Sequence, residues 1–315
     1  MKKNLLGKTG LEVTELCFGA LPFGPLQKNL PLEEATAVLC AALEGGINFI
    51  DTAQIYKTYA PIREALKQTK KHPVIASKSP ATTYEEMQTA IEEALNELNL
   101  DEIDIFHLHA ARVGEDVFTK RQGALECLYE NKHRGRIKAV GISTHSVKVT
   151  ARAATVEGID VVFPLINKSG RGILDGSREE MEIAISHCVA QGKGVYLMKV
   201  LAGGTLVGDY AQAVEYARAI PGNASIAVGM VSKAEVEYNL AYFQDRKPSA
   251  LPSLAALQKR FLVVESLCAG CLACVEACPN QAIIDRDGKG FIQQEACLTC
   301  GYCVGACPQF AIRIV

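Results

Sequence analysis

The 315-residue sequence has no block of like charge and no apolar run near the ~20 residues of a membrane-spanning helix. Its net charge is −2, so no electrostatic feature favours nucleic acid or an anionic membrane as a partner. The amino-terminal segment becomes polar too early for a signal peptide. We therefore expect a cytoplasmic protein with no nucleic-acid or membrane partner, whose length allows one large and one small domain.

Cysteine is scarce over most of the chain and concentrated near its end. Four cysteines are spread through the first 260 residues, namely Cys17, Cys40, Cys127 and Cys188. A reducing cytoplasm does not favour disulfides, so we predict that these four act as small buried hydrophobic residues without a function of their own.

The other eight cysteines form two copies of the pattern C-x2-C-x2-C-x3-C-P. In this pattern three closely spaced thiolates bind one 4Fe-4S cluster, and the cysteine before proline binds the other cluster. The predicted ligands are, for cluster 1, Cys268, Cys271, Cys274 and Cys307, and, for cluster 2, Cys297, Cys300, Cys303 and Cys278. Zinc or disulfides are the alternatives, although zinc ribbons lack the third C-x2-C step and the Cys-Pro ending. The segment resembles the two-cluster bacterial ferredoxins, which implies a small α+β domain.

Before this segment, short β-branched apolar runs alternate with longer amphipathic stretches, as in repeated βα units around a parallel sheet. The eight candidate strands are Leu16–Gly19, Asn48–Ala53, Val74–Lys78, Asp104–His109, Ala139–Thr144, Val161–Ile166, Val195–Lys199 and Ile226–Gly229. The intervening patterns predict helices such as Pro31–Glu44, Thr83–Leu98, Arg178–Gln191 and Lys233–Phe243. Eight such units predict a (β/α)8 TIM barrel.

Two further segments complete the predicted organisation. Residues Lys3–Val13, which contain two glycines, are expected to form a hairpin that caps the bottom of the barrel. A stretch with two prolines and no periodicity marks a linker near residues 244–258. The predicted domains are the barrel at 1–244, the linker at 245–260 and the iron-sulfur domain at 261–315.

Polar residues end three consecutive predicted strands, where a (β/α)8 barrel carries its reactive groups. These are Asp51, with Tyr56 in the loop beyond it, then Lys78 and His109. Tyrosine is a weak acid at neutral pH, and we expect a neighbouring ammonium to lower its pKa while a carboxylate holds that ammonium in place. Each residue alone has a structural interpretation, but together they suit proton delivery to a carbonyl that accepts hydride. His107 is interpreted as a structural histidine of the outer layer.

Several motifs resemble the aldo-keto reductases over residues 3–243. They are Gly7-Lys-Thr-Gly-Leu, Gly46-Ile-Asn-Phe-Ile-Asp-Thr-Ala-x-x-Tyr56, Ile75-Ala-Ser-Lys78, Asp104-Ile-x-x-Leu-His109 and Gly135-Arg-Ile-Lys-Ala-Val-Gly-Ile-Ser143. The resemblance is strongest to the bacterial branch with a C-terminal ferredoxin domain, where Met198-Lys199-x-Leu-Ala-Gly-Gly is usual. It implies that Asp51, Tyr56, Lys78 and His109 form a catalytic tetrad, with Tyr56 as general acid and a nicotinamide as hydride donor.

The same resemblance implies a set of cofactor contacts. Those at the nicotinamide amide are Ser143 and Asn167, those near the pyrophosphate are Leu201, Gly203 and Gly204, and those at the adenosine end are Gly229, Ser232, Lys233, Glu235 and Asn239. Ser232 and Lys233 could hold a 2′-phosphate, which favours NADP(H) over NAD(H), although both also suit an ordinary helix start. The chain departs from the family at Ile166, where a tyrosine usually stacks on the nicotinamide, and at Phe163, where glutamine is expected.

The leading hypothesis is an NAD(P)H-dependent carbonyl reductase that acts on a small-molecule aldehyde or ketone and carries two 4Fe-4S clusters. Nicotinamides move two electrons, whereas iron-sulfur clusters move one at a time. The clusters could therefore be structural, could sense redox state or could exchange electrons with a protein partner. One alternative enzyme uses cluster electrons and needs the tetrad only for protons. Another alternative is a non-catalytic electron carrier or redox sensor.

Overall fold

The computed structural model describes residues 1–111, 113–246, 248, 260–309 and 311–314. Eight parallel strands form a closed barrel in the order β10-β3-β4-β5-β6-β7-β8-β9. Their bounds are β3 Leu16–Gly19, β4 Phe49–Asp51, β5 Val74–Ser79, β6 Ile103–Ala110, β7 Ile137–Thr144, β8 Val161–Pro164, β9 Gly194–Leu197 and β10 Asn223–Gly229. The predicted (β/α)8 fold is confirmed, with each of the eight candidate strands in the barrel.

Helices surround the barrel because their apolar faces pack on the outer side of the strands. They are α1 Leu32–Glu44, α2 Tyr59–Thr69, α3 Tyr84–Leu98, α4 Val117–Lys120, α5 Gln122–His133, α6 Val147–Ala153, α7 Arg178–Ala190, α8 Tyr210–Arg218 and α9 Lys233–Phe243. The starts of α3 and α7 follow directly from sequence, since Thr83 and Ser177 each form a capping box with the glutamate three residues on. No helix in the described ranges is long and apolar enough to cross a bilayer.

The predicted amino-terminal hairpin consists of β1 Lys3–Leu5 and β2 Glu12–Thr14, paired antiparallel. Leu6 and Val13 are fully buried and belong to the same apolar cluster as Phe49 and Ile105 inside the barrel. The hairpin therefore closes the barrel at one end, as predicted. The polar residues that end the strands lie at the other end. Of the scattered cysteines, three are buried as expected, and Cys40 is half-buried.

The C-terminal domain contains two antiparallel pairs and two short helices. These are β11 Phe261–Val263 with β14 Ile312–Ile314, β12 Ile283–Arg286 with β13 Lys289–Ile292, and the helices α10 Ala273–Ala277 and α11 Tyr302–Ala306. The internal repeat is visible in the backbone, because each helix follows a residue with positive φ, Leu272 at 56° and Gly301 at 82°. The predicted linker lies almost entirely outside the described residues, so the domain boundaries stay a prediction.

The C-terminal domain lies against the open end of the barrel. Leu298 is buried in a small apolar cluster with Leu165 and Ala202 of the barrel. The Thr299 hydroxyl donates to the Gly203 carbonyl at 2.8 Å, and the Gln27 amide donates to the Thr299 carbonyl at 3.0 Å. The segment between two predicted ligands of cluster 2 thus forms part of the wall around the barrel mouth.

Candidate active site

A buried ion pair joins the ends of β4 and β5. Lys78 Nζ donates to both carboxylate oxygens of Asp51, at 2.7 and 2.9 Å, and to the Thr52 carbonyl at 2.7 Å. Lys78 is 1% exposed and Asp51 4% exposed, so water provides little screening. Burial raises the pKa of Asp51 and lowers the pKa of Lys78, and the ion pair opposes both shifts. The barrel therefore fixes the lysine ammonium at its mouth, as the sequence predicted.

Tyr56 lies beside this pair in a short 3-10 turn, Gln54–Tyr56, that follows β4. Lys78 Nζ is 4.9 Å from the centroid of its ring, and the ring of His109 lies 6.2 Å away, nearly perpendicular. All four predicted catalytic residues are thus brought together. The expected lowering of the Tyr56 pKa is not observed, because burial, the Tyr302 hydroxyl and the Asp51 carboxylate hold that pKa well above its usual value.

His107 differs from its predicted place in the outer layer. It is fully buried on the inner side of β6, with its ring 6.0 Å from that of Phe163. The prediction was wrong because residues two apart on a strand share one face, so His107 must point the same way as His109. Its Nε2 lies 2.7 Å from the hydroxyl oxygen of Tyr196.

Tyr196 is a member of this polar group that the sequence reasoning missed. Its hydroxyl donates to Asp51 Oδ2 at 3.0 Å, so the 2.7 Å contact with His107 is a hydrogen bond in which the imidazole donates. The only available signal was a lone tyrosine in an apolar strand. A chain of hydrogen bonds thus runs from His107 through Tyr196 to the Asp51 carboxylate and helps to hold it in place.

Tyr302, from the C-terminal domain, contributes a second hydroxyl at the barrel mouth. Its oxygen lies 3.2 Å from His109 Nε2, and the two rings meet nearly edge-on at 6.2 Å. Burial, Lys78 and His145 lower the pKa of His109 well below its usual value, so the imidazole is neutral at physiological pH. No pattern in the sequence connects Tyr302 to the barrel, and its place here is a result of domain packing.

A cavity of about 530 Å³ extends from the tetrad along the barrel mouth. Asp51 and Tyr56 line one end, and Thr299 of the C-terminal domain forms part of the wall. Six of the predicted cofactor residues line the same cavity, namely Leu201, Gly203, Gly204, Gly229, Glu235 and Asn239. Its volume is in the range of small-molecule and cofactor sites.

The other predicted cofactor residues lie outside this lining. Ser143 is 1% exposed, and its hydroxyl has no hydrogen-bond partner among the described residues. Asn167 uses its side chain locally, because Oδ1 accepts from the Arg171 amide and Nδ2 donates to the Arg171 carbonyl. Ser232 caps α9 by accepting from the Glu235 amide at 3.2 Å, and Lys233, the first residue of α9, is exposed.

The two departures from the family pattern face different layers. Ile166 is fully buried in the outer apolar cluster. Phe163 lines the cavity, stacks on Tyr196 with ring centroids 3.8 Å apart, and lies 5.3 Å from Lys78 Nζ. The aromatic face beside the tetrad therefore belongs to Phe163.

The eight clustered cysteines lie close together in the C-terminal domain and influence one another's ionisation. Burial raises the pKa of Cys274 and of Cys303 most; beyond burial, Cys268 and Cys307 raise the pKa of Cys274, and Cys300, Cys278, Cys297 and Cys274 raise the pKa of Cys303. Cys307 thus lies near the first triplet and Cys278 near the second, while Cys274 and Cys303 of different groups are also close, so the assignment of ligands to two clusters stays a prediction. Within the described residues, no group of three His, Cys, Asp or Glu side chains is arranged to hold one metal ion.

Lys199 supplies positive charge between the cavity and the second cysteine group. It lines the cavity, and its charge opposes the rise in the pKa of Cys297 and Cys300 that burial causes. Metal and cluster ligation needs the thiolate form, so this lysine suits the donor set that surrounds it. Burial in turn lowers the pKa of Lys199.

Comparison with known proteins agrees with this geometry. Residues 15–218 match the model of the aldo/keto reductase family, and residues 261–308 match a 4Fe-4S dicluster domain. L-galactose dehydrogenase of Arabidopsis thaliana is 23% identical over 83% of this chain and 92% of its own. Glyoxal reductase of Bacillus subtilis is 34% identical over 36% of this chain and 41% of its own.

Solved structures give the same assignment. A Pseudomonas aeruginosa protein described as an aldo-keto reductase is 25% identical, with a TM-score of 0.67, over 77% of this chain and 95% of its own. An aldo-keto reductase of Bacillus halodurans shares the fold, with a TM-score of 0.64 and 22% identity over 79% of this chain and 93% of its own. Since the first family match covers more than half of the residues, this chain belongs to the aldo/keto reductase family, and it is an oxidoreductase that carries a 4Fe-4S dicluster domain at its C-terminal end.

Proposed function

We propose that this protein is a nicotinamide-dependent carbonyl reductase in which Tyr56 donates the proton to an aldehyde or ketone oxygen. The observation that carries the proposal is the continuous cavity between Tyr56 and the residues assigned to the adenosine end, Glu235 and Asn239. Residues predicted for the pyrophosphate and for the adenosine end thus line one cavity with the buried proton donor. We place the reaction in the cytoplasm, because cluster thiolates need a reducing compartment.

The residues present suit a nicotinamide cofactor. Leu201, Gly203 and Gly204 would face its pyrophosphate, and the unpartnered hydroxyl of Ser143 is free to meet its amide. Ser143 pairs with His109 across β6 and β7, which brings it to the tetrad. Bound there, the reduced cofactor would supply a hydride, that is, two electrons and one proton, to the carbonyl carbon.

The chain itself supplies the proton and holds the carbonyl oxygen. Because its pKa is raised, Tyr56 keeps its proton at neutral pH until an oxygen that gains negative charge accepts it. The Lys78 ammonium, 4.9 Å from the Tyr56 ring, stabilises the phenolate that remains, and Asp51 holds the ammonium in place. Neutral His109 can orient the same oxygen from the other side.

We further propose that the C-terminal domain holds two 4Fe-4S clusters, one on each group of four cysteines, and that they exchange single electrons with a protein partner. The closeness of Cys307 to Cys274, and of Cys278 to Cys297 and Cys300, supports this ligand assignment. Cys271 of the first group is exposed, whereas in the second group Cys297 is half-buried and Cys300 and Cys303 are buried, so the first group is the more accessible to a partner.

The test begins with anaerobic calorimetric titrations of the cluster-loaded protein with NADPH and then NADH. Saturable binding of either is expected, with a preference for NADPH if Ser232 and Lys233 hold its 2′-phosphate. Turnover is then measured with glyoxal and simple aldehydes, and Tyr56→Phe should abolish it while cofactor affinity is retained. Absence of binding by both nucleotides contradicts the proposed function.

A second candidate function is favoured by the position of Thr299. This residue lies between two predicted ligands of cluster 2 and lines the cavity, so electrons could pass from that cluster directly to a bound substrate. In that reaction, chemically reduced clusters should be reoxidised when a carbonyl compound is added without any nicotinamide. Tyr56→Phe would stop this reoxidation, whereas a simple electron carrier would be unaffected by the substitution.

A further inference from the structure

The His109 side of the tetrad is covered by a side chain from the other domain. The cavity reaches Asp51 and Tyr56, but neither His109 nor Tyr302 belongs to its lining. Instead, the Tyr302 hydroxyl lies 3.2 Å from His109 Nε2. A cofactor could therefore enter the cavity while the space next to His109 stays filled.

The Tyr302 hydroxyl oxygen fills this space. It occupies the position that the oxygen of a reacting carbonyl would need. A carbonyl oxygen polarised by this tetrad needs the Tyr56 hydroxyl on one side and His109 Nε2 on the other. A neutral imidazole nitrogen engages one hydrogen-bond partner at a time. The Tyr302 hydroxyl and a substrate oxygen thus compete for the same nitrogen.

We propose that Tyr302 is a specificity-determining residue, whose hydroxyl holds the carbonyl-oxygen position and must be displaced by substrate. This inference rests on the proposed carbonyl reduction. A carbonyl or carboxylate oxygen is a better acceptor than a phenol oxygen, so it can win the exchange. The aromatic ring packs edge-on against His109, with ring centroids 6.2 Å apart, and narrows the space beside the oxygen position. The ferredoxin-type domain therefore selects small carbonyl compounds with an exposed oxygen.

Several contacts set the resting position of the hydroxyl. Tyr302 is the first residue of α11 and follows Gly301, whose positive φ of 82° sets the direction of the turn. A side chain at Gly301 would collide with the backbone carbonyl of Leu26 in the barrel. Two residues earlier, Thr299 is hydrogen-bonded to the barrel through both its hydroxyl and its carbonyl. The position of the Tyr302 hydroxyl therefore follows from the docking of a whole loop.

The test uses acetate, which accepts two hydrogen bonds through its oxygens but cannot be reduced here. Acetate binding to the oxidised, cluster-loaded protein is followed by the line width of its methyl resonance in an NMR titration. Tyr302→Phe keeps the ring and removes only the competing hydroxyl, so it should bind acetate about tenfold more tightly than the parent protein. Tyr84→Phe is the matched control, because its hydroxyl bonds the exposed Glu130 away from the site.

Equal acetate affinity in the parent protein and Tyr302→Phe overturns the inference, and so does a lack of acetate binding by both. The visible absorbance of the clusters verifies that each variant is folded and loaded. Nicotinamide binding is measured separately on the same samples. Loss of that binding contradicts the proposed function alone, whereas an unchanged acetate affinity contradicts the role of Tyr302 alone.

Discussion

At the scale of single residues, the site depends on the buried ion pair of Lys78 and Asp51, in which each charge relies on the other for compensation. Lys78 Nζ makes three contacts of 2.9 Å or less, to Asp51 and to the Thr52 carbonyl, while Tyr196 donates to the same carboxylate. Such a pair contributes little net stability relative to an apolar replacement, but removing one partner leaves an uncompensated buried charge. The arrangement thus makes the site sensitive to single substitutions.

Lys78→Met is predicted to lower the free energy of unfolding of the barrel by about 3–5 kcal/mol, because it strands the Asp51 carboxylate in the interior. Asp51→Asn combined with Lys78→Met should recover much of this loss, since no charge is then left unpaired. Unfolding in denaturant, followed by circular dichroism under anaerobic conditions, measures both variants.

Lys3→Met provides the matched control, because it removes a lysine from an exposed pair with Glu12 at 3.2 Å. This variant should change stability far less than Lys78→Met. If the double variant is no more stable than Lys78→Met, the stranded charge is not the cause of the loss. Activity should be absent in both Lys78 variants in either case, if the proposed function holds.

At the scale of secondary structure, the elements were more predictable than the contacts between them. All eight barrel strands and the bounds of α9 agree with the patterns of apolar residues and caps. The predictions that failed concern the direction in which a side chain points and contacts between residues that are far apart in sequence. His107 was given the wrong face, and Tyr196 was overlooked because a hydroxyl inside a barrel has no periodic signal.

Tyr302 illustrates why the rest of the site was not predictable. It is 193 residues from His109 along the chain, and the two are joined only by the way one domain docks on the other. Local propensity determines where α11 begins, but it holds no information about which barrel residue the helix will meet. The cysteine pattern, in contrast, could be recognised from sequence as an iron-sulfur motif, because cluster geometry constrains ligands that are close in sequence.

Ser232 and Ser177 cap their helices in the same way, so substitutions at the two serines can distinguish an effect on cofactor binding from an effect on helix stability. Ser232 accepts from the Glu235 amide and Ser177 accepts from the Glu180 amide, each at 3.2 Å. Changing either serine to alanine should cost about 1 kcal/mol of unfolding free energy. Only Ser232→Ala should also weaken NADPH, by about tenfold relative to NADH, if the serine holds the 2′-phosphate.

The ratio of the NADPH and NADH dissociation constants, obtained by calorimetry, measures this effect. Ser177→Ala, at the start of α7, has no predicted cofactor role and should leave the ratio unchanged. A ratio that is the same in Ser232→Ala and in the parent protein would show that Ser232 is only a cap.

At the scale of the whole molecule, the two cysteine groups have different surroundings. Cys271 of the first group is exposed, and no shared cluster of apolar residues joins that group to the barrel among the described residues. The second group flanks Leu298, which is buried against Leu165 and Ala202. The first group thus lies towards solvent, and the second lies next to the barrel mouth.

Removing one ligand from each group should therefore have unequal consequences. Cys297→Ser is expected to release the loop at 298–302 and to reduce amide hydrogen-exchange protection there and in the barrel loop at 200–204, which it contacts. Cys271→Ser, the matched control, should leave the barrel loop protected. Hydrogen exchange with mass spectrometry compares the two, and equal deprotection of the barrel loop would contradict this division.

Glycine makes the junction between the domains unusually close. A side chain at Gly203 would meet the backbone carbonyl of Leu298, and one at Gly301 would meet that of Leu26. At these two points the backbones of the two domains approach each other closely, with no flexible side chain between them to absorb a misfit. The two parts are consequently not interchangeable modules, and a ferredoxin grafted from another protein would fit this barrel only if it brought a glycine to the same turn.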